Sequence, residues 1–435
     1  MTATADAPAR PRAPRMASGG PLTAARLLRV ELRHNAMPFI LPLIAALLWF
    51  DSYRPSTAQP LLWPFRTFWN MGQGHTIVDF GPFVAAVAAW MASRDGRRGM
   101  GDLMTAIARP RWGAQLATWA ATAIWAVGGY LALVGVMFGV YTLQGVQGSP
   151  PWWWVGVGAV AVLAFSAAGF AVGAFFPSRF AAALAAFGGF LVLMMSSQTG
   201  FRDSSGWALI LPTNSNGNYQ SPSGIFYPYL PDLPIARIML LAGITMAAVG
   251  LLGLPRQAGG PGLRRAAAVV TVAGAILAGT AVGLATTARQ AADGIVIPAL
   301  HDAASDRPLA YTPVCGDAAG RPVCLNPAYR RYLSGVTASL RPVLAELAGL
   351  PGAPVRVTQA AGPYTANEGP FDAPAAIGGQ PPVLRLPLAT LNLVGSSGFT
   401  SSAALPITSG RLELFEATTG VPWAIASSGG RPKPS

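Results

Sequence analysis

Charge is scarce in this chain of 435 residues. Asp, Glu, Lys and Arg make up 11% of it, against 52% hydrophobic residues, a balance that excludes an ordinary soluble domain and leaves a membrane as the solvent. Lysine is nearly absent, Lys433 being the only one. That absence excludes a Walker A loop, Gly-x-x-x-x-Gly-Lys-Ser/Thr, so this chain holds no ATP through that motif. Histidine is limited to His34, His75 and His301, far apart in sequence, and cysteine to Cys315 and Cys324. No four-ligand zinc set can be read from so few residues. Gly-x-Ser-x-Gly and His-Glu-x-x-His are also missing, and neither an enzyme activity, a catalytic residue, a metal nor a cofactor is expected.

What charge there is has one sign and one placement. The formal net charge is +13, but half of the arginines flank apolar runs instead of forming a basic face on a soluble module, so nucleic acid is not an expected partner. Seven runs approach the roughly twenty residues needed to cross a hydrocarbon core of about 30 Å. They are Met37 to Tyr53, Ile77 to Ser93, Ala114 to Leu143, Trp152 to Phe176, Phe180 to Gly200, Ile235 to Leu254 and Ala266 to Ala288. Residues 1–20, rich in Pro, Ala and Arg, read as a disordered tail, not a signal peptide, because the first apolar run begins only at Met37. The expected fold class is an all-α polytopic membrane protein with about seven spans and a small α+β domain outside the membrane.

Arginine placement sets the expected orientation, since basic residues are retained in short cytoplasmic loops. With the N-terminus inside, the inner segments carry Arg10, Arg12, Arg15, Arg26, Arg29, Arg33, Arg94, Arg97, Arg98, Arg109, Arg111, Arg179, Arg256, Arg264 and Arg265, and the outer loops before the last span only Arg54, Arg66, Arg202 and Arg237. Fifteen against four sets a multi-pass protein of the bacterial plasma membrane with a cytoplasmic N-terminus, and seven spans leave the C-terminal segment outside. The cysteines agree with that side. In "VCGDAAGRPVC" eight residues separate Cys315 from Cys324, a spacing that suits a disulfide-closed hairpin in an oxidising compartment, worth about 2–3 kcal/mol.

The most informative stretch is "SRDGRRGMGDLMTAIARPRW", Ser93 to Trp112, between the second and third runs. Met100, Leu103, Met104 and Ile107 fall at i, i+3, i+4 and i+7, one apolar stripe on a short helix beside Asp102 and the arginines. Pro110 ends it by disfavouring helical backbone at Arg109. Such a helix can lie on anionic lipid heads or dock into a cytoplasmic partner. The stretch resembles the cytoplasmic loop of ABC-2-type permeases, with Gly99 or Gly101, Asp102, Leu103 and Pro110 matching and Gly101-Asp102 standing where the family has a Thr-Glu pair. The resemblance implies a coupling helix that contacts an ABC ATPase subunit through Arg97, Met100, Asp102, Leu103, Met104, Ile107 and Pro110. It also implies that ATP is bound by that partner, that a second permease completes a homo- or heterodimer, and that the chain is the permease of an exporter.

The N-terminal flank fits the same family. "PLTAARLLRVELRHNA" places Arg26, Arg29 and Arg33 on one helical face with Leu27, Leu28 and Leu32 on the other. It reads either as an elbow helix before the first span or as a helical extension of that span. The permease-like core is expected over residues 21–254, with a seventh span and its flank over 255–290. The remainder, 291–435, reads as an extracytoplasmic domain, with a helix over "PAYRRYLSGVTASLRPVLAELAGL" that Pro342 kinks or divides and strands at "APVRV" and "PVLRLPLATLNLV". None of the seventeen acids falls mid-run, Asp51 and Asp79 lying at outer ends, so an ion-coupled carrier lacks its usual carboxylate. The alternative reading is a polytopic protein that displays a sensor or assembly domain without transport. Two further features read as structural: Trp152 to Trp154 as an interfacial aromatic belt, and Gly169 with Gly173 as a GxxxG that suits close helix packing but that chance among fifty glycines explains as well.

Overall fold

The computed structural model describes residues 21–52, 75–97, 111–143, 150, 152–202, 206–211, 230–255, 259–291, 294–307, 310–327, 330, 333–346, 348, 356–359 and 383–386. Each of the seven apolar runs forms one helix: α2 (Met37–Ser52), α3 (His75–Ala92), α4 (Arg111–Leu143), α5 (Trp152–Phe175), α6 (Ala181–Arg202), α7 (Asp232–Leu251) and α8 (Pro261–Ala285). Four of them, α4, α5, α7 and α8, are long and apolar enough to cross a membrane. The others keep shorter apolar stretches among the described residues, Met37–Leu47, Phe80–Ala92 and Ala181–Ser196. Pro261 opens α8 after the extended Gly260, where its missing N–H would be unpaired in any case.

A separate helix, α1 (Pro21–Arg33), precedes the first run. It is not an extension of α2, because the backbone leaves helical geometry at Asn35. That residue is buried, and its Oδ1 accepts a hydrogen bond from Met37 N at 3.0 Å while its Nδ2 donates to Thr122 Oγ1 of α4 at 2.9 Å. One side chain therefore caps the start of α2 and pins the bend to a neighbouring helix. Arg26, Arg29 and Arg33 are exposed and Leu27, Leu28 and Leu32 half-buried, with Trp125 of α4 donating to Leu32 O at 2.9 Å.

Two helices form the centre of the bundle. α3 is packed by α2, α4, α5 and α6, and α5 by α3, α4, α6 and α7, while α8 lies chiefly against α7. The α3–α5 contact is made through Gly169 and Gly173, where an added Cβ would run into the backbone of Ala85 and Ala89. The GxxxG pair is thus a packing device and not a coincidence of composition. The α7–α8 contact uses the same means, Gly243 and Gly274 each holding space where a Cβ would meet opposing backbone at 2.6 Å. The outward faces stay apolar: Leu184, Phe187, Val192 and Met195 on α6 and Val269, Val272 and Ile276 on α8 are exposed. A surface of that kind is stable in hydrocarbon and a liability in water.

After α8 the chain forms a hairpin, β1 (Arg289–Ala291) with β2 (Gly294–Val296), followed by a four-stranded sheet in the order β3 (Val314–Ala318), β4 (Arg321–Leu325), β5 (Arg356–Gln359), β6 (Val383–Leu386). β3 and β4 are antiparallel, turned by Ala319 and Gly320 at φ 57° and 77°, the left-handed pair that a two-residue hairpin turn demands. β4, β5 and β6 are parallel, with α9 (Leu333–Glu346) as the crossover between β4 and β5. The described part of this segment thus contains a small sheet and a helix. Pro342 does not divide the helix, which runs unbroken from Leu333 to Glu346. Val336, Leu340 and Leu344 of α9 are buried with Val323, Leu325 and Val357 of the sheet, so a small core forms between one helix and one sheet face.

Gly169→Leu should force α3 and α5 apart and cost about 1–3 kcal/mol, the usual penalty of overpacking. Gly128→Leu, where a Cβ meets nothing within 4 Å, should leave the melting temperature in detergent unchanged. Thermal unfolding of both variants, followed by tryptophan fluorescence, checks the contrast.

Candidate functional site

The helices bring the arginine-bearing segments together at one end of the bundle. Arg94, in the helical turn Arg94–Arg97 that follows α3, donates from Nη2 to Glu31 Oε1 of α1 at 3.1 Å. Gly96 lies against Pro177, in the connection between α5 and α6 that carries Arg179. Trp112, at the start of α4, donates from Nε1 to Val249 O near the end of α7 at 3.2 Å, and Gly253 and Ala267 pack beside it. Segments that precede α2, follow α3, link α5 to α6 and link α7 to α8 therefore share one face of the molecule. The Glu31–Arg94 pair is partly wet and contributes under about 1 kcal/mol; its consequence is positional, fixing α1 to the base of the loop after α3.

Arg97 is the one residue of the expected coupling set that falls among the described residues. Its Nη1 donates to Ser93 Oγ at 2.6 Å, and its guanidinium lies over the Trp90 ring, 3.5 Å from the centroid. Ser93 Oγ donates in turn to Ala89 O at 2.8 Å, so the cation is seated on the last turn of α3 by stacking and a hydrogen bond. Met100, Asp102, Leu103, Met104, Ile107 and Pro110 lie outside the described residues. What the structure places is the base on which that loop stands: Glu31, Arg94, Arg97 and Ser93 on one side and Trp112 on the other.

The opposite end holds a polar cluster that spacing does not reveal. Asp232, in the first turn of α7 and fully buried, accepts from Ile297 N at 2.9 Å and from His301 Nδ1 at 3.2 Å, both on Oδ2. His301 Nε2 lies 2.8 Å from Asp306 Oδ1. Both ring nitrogens face carboxylate oxygens. One turn further along α7 is Arg237, also fully buried, whose Nε and Nη2 donate to Leu209 O at 3.2 and 2.7 Å and whose guanidinium faces the ring of Trp154 at 5.3 Å. Arg237 is thus a helix residue of the bundle and not a loop arginine as the charge count took it. Of the tryptophan run, Trp152 and Trp153 are exposed as an aromatic belt would be, whereas Trp154 turns inward to meet this cation.

Sequence reasoning passed over Asp232 and His301 because sixty-odd residues and a whole helix separate them. The available signal was an Asp and an Arg written into the first turns of an otherwise apolar run, where a buried charge is kept only if it is paired. The cysteines were legible: Cys315 and Cys324 are joined in a disulfide. Among the described residues no group of three or more His, Cys, Asp or Glu could hold a metal ion.

No family model matches the chain, and neither does any curated protein or solved structure.

Asp232→Ala should leave Ile297 N–H without an acceptor and His301 without its buried partner, a loss of about 1.5–3 kcal/mol for a bond to a charged group. Hydrogen exchange across residues 295–306 should then accelerate tenfold or more while α4 and α5 keep their protection. Unchanged exchange would mean that the segment is held on α7 by its apolar contacts alone.

Proposed function

We propose that this chain is the transmembrane permease subunit of an ABC-type exporter, energised by a separate ATPase that docks on the loop over residues 94–111. The observation that carries the proposal is the Glu31–Arg94 bridge at 3.1 Å, because it ties an amphipathic N-terminal helix to the base of the loop whose motif resembles the ABC-2 coupling helix. An ATPase pushing on that loop would move α1, α3 and α4 together, since the loop runs from the end of α3 to the start of α4 and α1 is bonded to both its base and Trp125 of α4. Convergence of the other arginine segments on the same face supplies the basic surface that retention in the cytoplasm favours. In this reading that face is cytoplasmic, α2 to α7 form the permease core, and α8 carries the C-terminal segment to the far side. A second permease completes the transporter, and ATP stays on the partner.

The second reading, a membrane protein that displays a sensor or assembly domain without transport, draws on the Asp232–His301 contact. It fastens the segment after α8 to the first turn of α7, a route by which an external domain could act on the bundle.

Leu103→Arg distinguishes the two. In the permease reading the apolar stripe sits in a groove of the ATPase, where each anchor contributes about 1–3 kcal/mol, and the variant should lose co-purification of a Walker A ATPase encoded beside this chain while still inserting into the membrane. Asp102→Arg should do the same by removing the orienting carboxylate. A helix lying on anionic lipid would gain attraction from either added cation, and partner recovery would not move. Unchanged recovery in both variants contradicts the coupling assignment.

A further inference from the structure

The disulfide is asymmetric in its surroundings, and chemistry follows from that. Cys315 and Cys324 are directly paired across the β3–β4 ladder. Cys315 is exposed, whereas Cys324 is 1% exposed, on the strand that pairs on its other side with β5. From β5, Arg356 extends Nη2 to Cys324 Sγ at 3.6 Å. The more open residue of the pair is therefore Cys315, while a guanidinium faces the sulfur of the other.

We infer that the Cys315–Cys324 bridge is a thiol–disulfide exchange site with a fixed direction of attack, in which an incoming thiolate takes Cys315 and Cys324 leaves as a thiolate held by Arg356. Attack on a disulfide runs in line with the bond being broken, so the reachable sulfur is the one attacked and the shielded one departs. A new bond forms between the incoming sulfur and Cys315 Sγ as the Cys315–Cys324 bond breaks, and the electron pair goes to Cys324, where the adjacent cation stabilises it. If the reagent is a dithiol, its second thiolate then attacks its own sulfur in the mixed disulfide. That step releases Cys315 and leaves the dithiol oxidised to a disulfide and the hairpin reduced by two electrons, with both protons passing from the dithiol to the two cysteines. The partner defined by this chemistry is a dithiol oxidoreductase on the same side of the membrane.

The bridge is not the only tie across the hairpin. Five residue pairs link β3 to β4, the Ala319–Gly320 turn closes them, and Gly316 lies beneath Leu333 and Thr337 of α9. Reduction therefore frees two thiols on a strand pair that remains assembled, which is what a reversible exchange site requires and a purely structural staple does not.

The test uses the full chain in detergent and the monothiol 2-mercaptoethanol, which carries no charge beyond that of its reacting thiolate. After acid quenching, free thiols are capped with N-ethylmaleimide and the peptides mapped by mass. The expected result is the mercaptoethanol adduct on Cys315 and the maleimide on Cys324. Arg356→Leu should slow cleavage about threefold, in keeping with the leaving-group dependence of the exchange, and Arg356→Lys should restore most of the rate. The adduct map on the unaltered chain needs no variant and is decisive by itself. Adducts shared equally between the two cysteines, or found on Cys324, would overturn the inference, as would wild-type kinetics in an Arg356→Leu chain that melts like wild type.

Discussion

The cost of carrying charge into hydrocarbon organises this molecule. An arginine or aspartate at the centre of a bilayer costs on the order of 2.5–3.5 kcal/mol on insertion scales, and with only 11% charged residues the chain keeps its seven apolar helices almost free of them. Several cations gather at one end, two of them stacked or bonded: Arg94 on Glu31 and Arg97 on Trp90 and Ser93. Asp232 and Arg237, both in the first turns of α7, are fully buried and both bonded. Removing the charge from the helices also removes the means of holding them together by ion pairs. Close packing takes over, through Gly169 and Gly173 between α3 and α5 and through Gly243 and Gly274 between α7 and α8.

That division gives each end of the bundle a distinct character. At the arginine-rich end, Glu31 with Arg94 and Trp112 with Val249 tie together segments distant in sequence. At the opposite end, Asp232 and Ile297 join the first turn of α7 to the segment beyond α8, and the buried residues Leu209, Ile210, Leu233, Ile295 and Ile297 form one apolar cluster around that joint. The helices between are packed continuously through α3 and α5, so rearrangement at one end has a mechanical route to the other. This is the property that a permease driven from one face requires.

Much of the fold was legible because it is periodic. Seven apolar runs gave seven helices, and the amphipathic face of α1 was written in Arg26, Arg29 and Arg33. What could not be read were the single-residue decisions. Asn35 separates α1 from α2 by side-chain hydrogen bonds to Met37 N and Thr122 Oγ1, which no periodicity encodes. The role of Gly169 and Gly173 depends on which helix faces them, and in a glycine-rich chain their spacing alone decides nothing. Asp232, His301 and Asp306 meet only after α7 and α8 have folded back on each other. The paired cysteines were readable because a short spacing with Gly320 between them suffices to close a hairpin. Of the coupling residues, Arg97 is placed at the base of its loop, and the apolar stripe from Met100 to Ile107 rests on sequence pattern and resemblance.

The proposed orientation puts the arginine-rich end in the cytoplasm and the disulfide on the far side of the membrane. Cysteine accessibility in a Cys315→Ser/Cys324→Ser background tests it most directly, with single cysteines introduced at two exposed positions, Ala25 in α1 and Ala310 before β3. In intact cells a membrane-impermeant maleimide should label Ala310→Cys at once and Ala25→Cys only after permeabilisation. Labelling of Ala25→Cys in intact cells, with Ala310→Cys protected, would reverse the orientation and contradict the account.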